Sequence, residues 1–206
     1  MRARQRSADV AGNENAALPA TREFLRYVEQ QAVQLRQRAG VGAMERLDPQ
    51  LVADRLGLTI VTPSDIAAMT PEQRASVEAV TPKQWSGSGL PLPGNRLLVI
   101  LNPRQTPERA AVTVMEEVAH IQFGHQPTKI STLSNGVTKR TFNPRHEQEA
   151  YWTAAAALLP SKALGKAMRR RQSVAELATA YGFSVELVEF RLKVWGLWPY
   201  YIAKVA

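Results

Sequence analysis

The chain contains no cysteine among its 206 residues, and this absence excludes disulfides, thiol nucleophiles and thiolate metal sites. Histidine is scarce, so any metal would be bound by carboxylates together with His120, His125 or His146. No apolar run approaches the roughly 20 residues that cross a bilayer. The basic first residues also lack the apolar stretch of an export signal behind them. We therefore expect a cytoplasmic protein without a membrane partner.

Basic residues outnumber acidic ones, and the formal net charge is +8 at pH 7. Such a charge favours acidic partners, including nucleic acids, whose phosphates it neutralises. Basic side chains cluster in KALGKAMRRR, residues 162–171, so one hypothesis is nucleic-acid contact through Arg169, Arg170 and Arg171. A solvated surface explains the same charge, and we favour that interpretation.

The first half of the chain predicts a tail, two helices and a strand. Residues 1–20 mix small, polar and charged types without periodicity, which is typical of a disordered segment. From Thr21 apolar residues recur every three or four positions until Gly40, which predicts a helix. Asp48 then caps a short helix before the β-branched run LTIVT, which starts at Leu58 and predicts a strand.

A hairpin and a long helix are predicted in the middle of the chain. The turn-rich stretch PLPGN separates residues 85–90 from the apolar run RLLVILN, so the two runs are expected to pair. Thr106 and Pro107 have the character of an N-cap and a first helical residue, and Gly124 that of a C-terminal stop. The predicted helix runs from residue 108 to about residue 123.

The remaining residues predict a polar connection and further helices. Residues 126–143 are polar and contain an Asn-Gly pair, which indicates a loop or loose hairpin, and a helix of about residues 145–159 follows. Ser173 with Glu176 forms a capping box, and Ser184 caps a second short helix. The aromatic residues near the C-terminus are expected to dock on the body of the protein.

The string EEVAH in the long helix is the candidate chemical site. Glu116 and His120 lie four residues apart and therefore share one helix face, with Glu117 beside them. A zinc peptidase helix reads H-E-x-x-H, with two metal-binding histidines and a glutamate as general base. Here a glutamate replaces the first histidine. From the spacing alone, a surface pair or a buried hydrogen bond is the alternative.

Two longer segments resemble the ImmA/IrrE family of zinc metallopeptidases. TVMEEVAHIQFGH is similar to the family helix T-L-A-H-E-L-G-H-L-L-L-G-H, except for the glutamate in place of the first histidine. EAYWTAAAALLP, residues 149–160, is similar to E-A-N-R-F-A-A-E-L-L-M-P. The resemblance covers roughly residues 47–197. It implies an α+β, zincin-like fold in which a small antiparallel sheet packs on the active helix, with a C-terminal helical pair.

The resemblance also implies a domain organisation and a set of site residues. The expected divisions are a tail of residues 1–20, a peptidase domain of residues 21–165 and a helix-turn-helix-like segment of residues 166–206 packed on it. The implied metal ligands are His120 and Glu149, with Glu116 in the place of a histidine, and Glu117 is the implied general base. His146, three residues before Glu149, is a possible accessory ligand.

The implied activity is that of a regulatory endopeptidase that cleaves a protein, in this family often a helix-turn-helix repressor, under stress. The metal would be zinc or another divalent cation such as manganese, because an extra carboxylate suits harder cations. The extra anionic ligand is also expected to slow hydrolysis. One alternative is an inactive pseudopeptidase without metal that binds a protein. Another is DNA binding by the helix-turn-helix-like segment, although Glu186 and Glu189 disfavour it.

Overall fold

The computed structural model describes residues 19–93, 96–125, 130–132, 138–140 and 143–205. The helices in these ranges are α1 (Arg22–Arg38), α2 (Pro49–Arg55), α3 (Pro71–Glu78), α4 (Pro107–Phe123), α5 (Pro144–Leu158), α6 (Ser161–Arg170), α7 (Val174–Tyr181), α8 (Val185–Val194) and α9 (Trp198–Val205), with a 3₁₀ turn at Pro63–Asp65. The strands are β1 (Leu58–Val61), β2 (Gly87–Leu92), β3 (Arg96–Leu101), β4 (Ile130–Thr132) and β5 (Thr138–Arg140). The predicted α+β class is confirmed.

The main sheet has the strand order β1-β3-β2. The predicted hairpin is present, because β2 pairs antiparallel with β3. The expected antiparallel pairing holds for β2 and β3, whereas β1 pairs parallel with β3, Leu58 opposite Leu97. The chain between β1 and β3 contains the 3₁₀ turn, α3 and β2, and this crossover returns it in the same direction. β4 and β5 form a separate antiparallel pair.

Local capping signals set the ends of the two central helices. The side chain of Thr106 accepts a hydrogen bond from the backbone N–H of Arg109 at 3.3 Å, which begins α4. Gly124, with φ of 64°, ends it in the left-handed conformation. Asn143 caps α5 by accepting from the backbone N–H of Arg145 at 3.1 Å. These contacts place the EEVAH string in the middle of a regular helix.

The core is built around α5, which packs against α4, α1 and α8. Small side chains on α5 allow its neighbours to approach closely, and four consecutive alanines are fully buried, Ala154, Ala155, Ala156 and Ala157. A second apolar cluster joins α6, α7, α8 and α9 around Leu164, Val188 and Tyr201. The C-terminal helices therefore have a core of their own beside α5.

Three helices were not predicted from the sequence: α3, α6 and α9. α6 contains the basic segment that was considered only for its charge. It buries Ala163, Leu164 and Ala167 along one face, at helical spacing, while Arg169 and Arg170 are exposed. Most of the predicted tail, residues 1–18, and the Asn-Gly pair at residues 135–136 lie outside the described residues. No helix in the described ranges is long and apolar enough to cross a membrane.

The buried guanidinium of Arg36 connects α1 to α5 and to the loop after α1. It is 2% exposed and donates to the backbone carbonyls of Gly42, Glu45 and Ala157. A lysine ammonium cannot reach these carbonyls in the same planar arrangement. We expect Arg36→Lys to lower the free energy of unfolding by about 2 kcal/mol in urea denaturation.

The matched control for this prediction is Arg38→Lys on the same helix. Arg38 is exposed, so the same chemical change there should alter the free energy of unfolding by less than about 0.5 kcal/mol. Equal effects of the two substitutions would show that the carbonyl contacts of Arg36 contribute nothing specific.

Candidate functional site

Glu117 of α4 faces the edge strand of the main sheet. A Cβ atom placed on Gly89 of β2 would lie 2.6 Å from Glu117 Oε2, and one on Gly87 would lie 2.7 Å from Thr113 Cγ2. The two glycines thus let β2 lie close to α4. The implied general base therefore packs against β2, the strand at one edge of the main sheet.

Glu116 is half-buried on the same helix. Its carboxyl group makes no hydrogen bond or ion pair with the described part of the chain. Burial raises its pKa to about 7; Arg109 opposes this shift, whereas the charges of Glu117 and Glu147 add to it. A substantial fraction of Glu116 is therefore protonated at neutral pH.

The side chain of His120, which belongs to α4, approaches α5. Its Nδ1 is 2.9 Å from Nδ1 of His125, and its Nε2 is 3.8 Å from Oε2 of Glu147. Burial, together with the charges of His125 and His146, lowers the pKa of His120 to about 4. Because the imidazole is neutral at pH 7, the approach to Glu147 is not an ion pair at that pH.

His125 connects the two helices of the site. Its Nε2 is 3.2 Å from Oε2 of Glu149 on α5. Its ring stacks on His146, with centroids 4.0 Å apart and planes inclined by 6°, and on Phe123. Burial and His146 lower the pKa of His125, although Glu149 partly opposes this. The contact with Glu149 is therefore a hydrogen bond from a neutral imidazole at pH 7.

Glu149 is buried, and both of its carboxylate oxygens have partners. Oε2 faces His125, and Oε1 lies 3.2 Å from Nε of Arg145, one turn earlier on α5. The Arg145 side chain is 42% exposed, whereas that of Glu149 is 10% exposed. The carboxylate implied as a metal ligand is thus neutralised within the protein by an arginine and a histidine N–H.

The implied ligands do not fit a resident metal as they are arranged. Within the described residues, no group of three or more histidine and acidic side chains could hold a metal ion. Both oxygens of Glu149 are engaged, one by Arg145 and one by His125. His146 presents the face of its ring to His125. The four residues implied for a metal, Glu116, His120, His146 and Glu149, therefore lie in one region without converging on a point.

The three arginines considered for nucleic-acid contact lie at the C-terminal end of α6, and not on α4 or α5. Arg169 and Arg170 are the last residues of α6, and Arg171 follows with φ of 53°; all three are exposed. In α8, the second helix of the helix-turn-helix-like segment, Leu187 and Arg191 are buried against the rest of the protein. The buried face of α8 is thus committed to packing and is unavailable to a DNA groove.

Sequence reasoning missed Arg145, and it named His125 only as one of the histidines available to a metal. The sequence contained a signal for the position of each. Gly124 reverses the chain after α4 in a left-handed conformation, which returns His125 towards His120. Arg145 precedes Glu149 by four residues on a helix, the spacing of an ion pair. Neither signal indicates by itself that the two pairs share Glu149.

Comparisons with known proteins find a family match and similarity to solved structures. The family model described as the IrrE N-terminal-like domain matches residues 53–193. Among solved structures, a Mycobacterium tuberculosis transcriptional regulator is similar at 17% identity with a TM-score of 0.48, over 87% of this chain. The chain spans 48% of the length of that regulator. The search of curated proteins finds no match.

The family match covers the helix with EEVAH, the Glu149 helix and the strands before them. It also extends into α8, so it spans more than half of the chain. The protein therefore belongs to the family of IrrE N-terminal-like domains, a zincin-like family whose members are typically metal-dependent peptidases.

Proposed function

We propose that this protein is a regulatory pseudopeptidase, which uses the IrrE-type fold to bind a protein partner and does not hydrolyse it efficiently. The partner class that the family suggests is a transcriptional repressor with a helix-turn-helix. The observation that carries the proposal is the engagement of both Glu149 oxygens, one by Arg145 and one by His125. Both partners compete with a cation for the negative charge of this carboxylate.

The environment of Glu116 supports the same proposal. A histidine ligand is replaced here by a carboxyl group with a pKa of about 7. Two further carboxylates, Glu117 and Glu147, raise that pKa. Because Glu116 is partly protonated at neutral pH, the site carries less negative charge. It therefore does not need a cation to balance that charge.

The partner-binding surface that we propose is the region between α4 and the edge strand β2. Edge strands offer unpaired backbone groups that an extended partner segment can bind. Gly87 and Gly89 keep this strand close to α4, and Leu90 beside them is 49% exposed. A binding partner would thus contact both the strand and the Glu117 side of the helix.

A second candidate is a slow metal-dependent endopeptidase. It is favoured by His120, whose imidazole is neutral as a metal ligand must be, and by the position of Glu117 at the strand edge. If a cation were bound, it would supply an activated water, and Glu117 would accept its proton. The two candidates differ in whether a metal is bound at all.

We expect the wild-type protein to contain less than a tenth of an equivalent of zinc or manganese after incubation with either ion and buffer exchange. Glu116→His should bind zinc measurably, because it replaces a carboxyl group with the missing imidazole. Metal content by mass spectrometry is the measurement, with His120→Ala in the Glu116→His background as the control for site binding.

The outcomes separate the two candidates. Near-stoichiometric metal in the wild type that disappears in His120→Ala would overturn the pseudopeptidase proposal. In that case Glu117→Gln should abolish cleavage of an unfolded protein substrate while the metal remains bound. Wild-type protein without metal and without cleavage, combined with zinc in Glu116→His, supports the pseudopeptidase.

A further inference from the structure

A cavity of about 560 Å³ lies on the side of α1 that carries Val33 and Gln37. Its walls are α1, the loop after α1, the C-terminal end of α5 and the start of α6. The apolar residues that line it are Ala32, Val33, Val41, Ala43, Ala156 and Pro160. None of the described residues in its lining belongs to α4 or β2. The cavity is therefore separate from the candidate site, and its volume is that of a small-molecule pocket.

The acidic side chain in the wall of this cavity, Glu29, is already neutralised. It is 15% exposed and pairs with the buried Arg191. Its oxygens also accept from Trp195 Nε1 at 3.1 Å, and from the backbone N–H and the hydroxyl of Ser161 at 3.3 and 3.0 Å. These four contacts match the roughly four lone-pair sites of a carboxylate. Glu29 therefore has little capacity left for a cationic ligand.

The basic side chains at the cavity have no acidic partner of this kind. Arg36 is 2% exposed, and its acceptors are backbone carbonyls, which carry no net charge. Within the described ranges, no carboxylate forms a salt bridge with Arg36 or with the exposed Lys162. Burial lowers the pKa of Arg36, and Tyr181 and Glu45 only partly oppose this shift. Uncompensated positive charge therefore lies beside an apolar wall.

We propose that this cavity binds a small apolar molecule with one anionic group, such as a carboxylate. Its apolar part packs on Val33 and Ala156, and its charge faces Lys162. Beside apolar surface an ammonium group attracts an anion more strongly than in open water, and the charge of Arg36 adds to this attraction. Burial of the apolar part supplies the rest of the affinity. This binding site is independent of the proposed function.

The test uses two fluorescent probes that differ in charge. Anilinonaphthalene sulfonate is an apolar anion whose fluorescence rises when it leaves water, and phenylnaphthylamine has the same rings without the sulfonate. We expect saturable binding of the sulfonate to the folded full chain at pH 7. Fluorescence titration at constant ionic strength gives the affinity of each probe, and the uncharged probe reports the apolar wall alone.

Val33→Asp tests the location of the probe. Val33 is 42% exposed, so the substitution should preserve the fold, but it places a carboxylate on the apolar wall. The affinity for the sulfonate should fall by at least about tenfold. Ile202→Asp is the matched control, because Ile202 is 46% exposed on α9 and does not line the cavity. This variant should bind the sulfonate as the wild type does.

Lys162→Gln tests the charge of the ligand. It should weaken binding of the sulfonate by about two- to fivefold, the effect of one exposed charge pair, and leave binding of the uncharged probe unchanged. Lys166→Gln is the control, because Lys166 lies one turn further along α6 and outside the cavity lining. It should change the affinity of neither probe.

Absence of saturable binding would overturn the proposal, as would equal effects of Val33→Asp and Ile202→Asp. An equal effect of Lys162→Gln on the two probes would also overturn it, because the lysine would then act through its shape. A wild-type dimer in sedimentation velocity that Val33→Asp dissociates would identify a second copy of the chain as the occupant instead. None of these results depends on a metal or on the partner of the proposed function.

Discussion

Glu29→Gln should lower the free energy of unfolding by about 3–5 kcal/mol, because it removes the counter-ion of a buried arginine. Arg191 is 1% exposed and pairs with Glu29, which also accepts from Trp195 Nε1 at 3.1 Å and from the hydroxyl of Ser161 at 3.0 Å. Glutamine preserves the shape but leaves the guanidinium charge unpaired. Urea denaturation at pH 7 measures the loss, which is a large fraction of an ordinary domain's stability.

Two comparisons identify the cause of this loss. The double variant Glu29→Gln with Arg191→Met should be more stable than Glu29→Gln alone, because no buried charge remains. Glu189→Gln breaks an exposed pair with Lys193 on α8 and should cost no more than about 0.5 kcal/mol. If Glu29→Gln were as mild as Glu189→Gln, the buried pair would not hold α1, α6 and α8 together.

Glu116→Gln should stabilise the protein at pH 8 by about 3 kcal/mol and have almost no effect at pH 4. The folded protein keeps the Glu116 proton up to a pKa of about 7, whereas the unfolded chain loses it near 4.5. Between these values the folded state binds more protons, so the wild type loses stability as pH rises, by about 1.4 kcal/mol per pH unit at most. Glutamine has no proton to lose.

The measurement is the difference in urea midpoint between Glu116→Gln and the wild type at pH 4 and pH 8, both in chelator. Glu186→Gln is the control: Glu186 is exposed, and its pKa is lowered by hydrogen bonds to its own backbone and to Ser184, so no gain is expected at pH 8. A gain for Glu116→Gln that is equal at both pH values would contradict the proposed burial of a titrating carboxyl group.

Helix ends and the face shared by Glu116 and His120 could be predicted from the sequence, because both depend on residues within a few positions of each other. Thr106 and Gly124 define α4 through contacts inside its first and last turns. The parallel pairing of β1 with β3 could not be predicted in this way, since it depends on how a crossover of more than 30 residues returns the chain.

The ligand set was predicted from resemblance, and the arrangement of its side chains was not. Glu149 is on the expected helix, and it lies near the histidines of the site. Its actual partners, Arg145 and His125, follow from rotamers and burial that a sequence does not specify. These contacts determine whether the negative charge of Glu149 is available to a cation or is already neutralised by other side chains.

The sequence by itself determined that EEVAH lies on a helix, since this depends on local spacing, and its resemblance to a known family implied the α+β class. Only the tertiary structure decided that the three histidines lie together and that the side chain of Arg145 pairs with Glu149. The physical reason is that side-chain pairing and protonation depend on the distances between side chains and on their burial. The packing of α4 against α5 sets these distances and this burial.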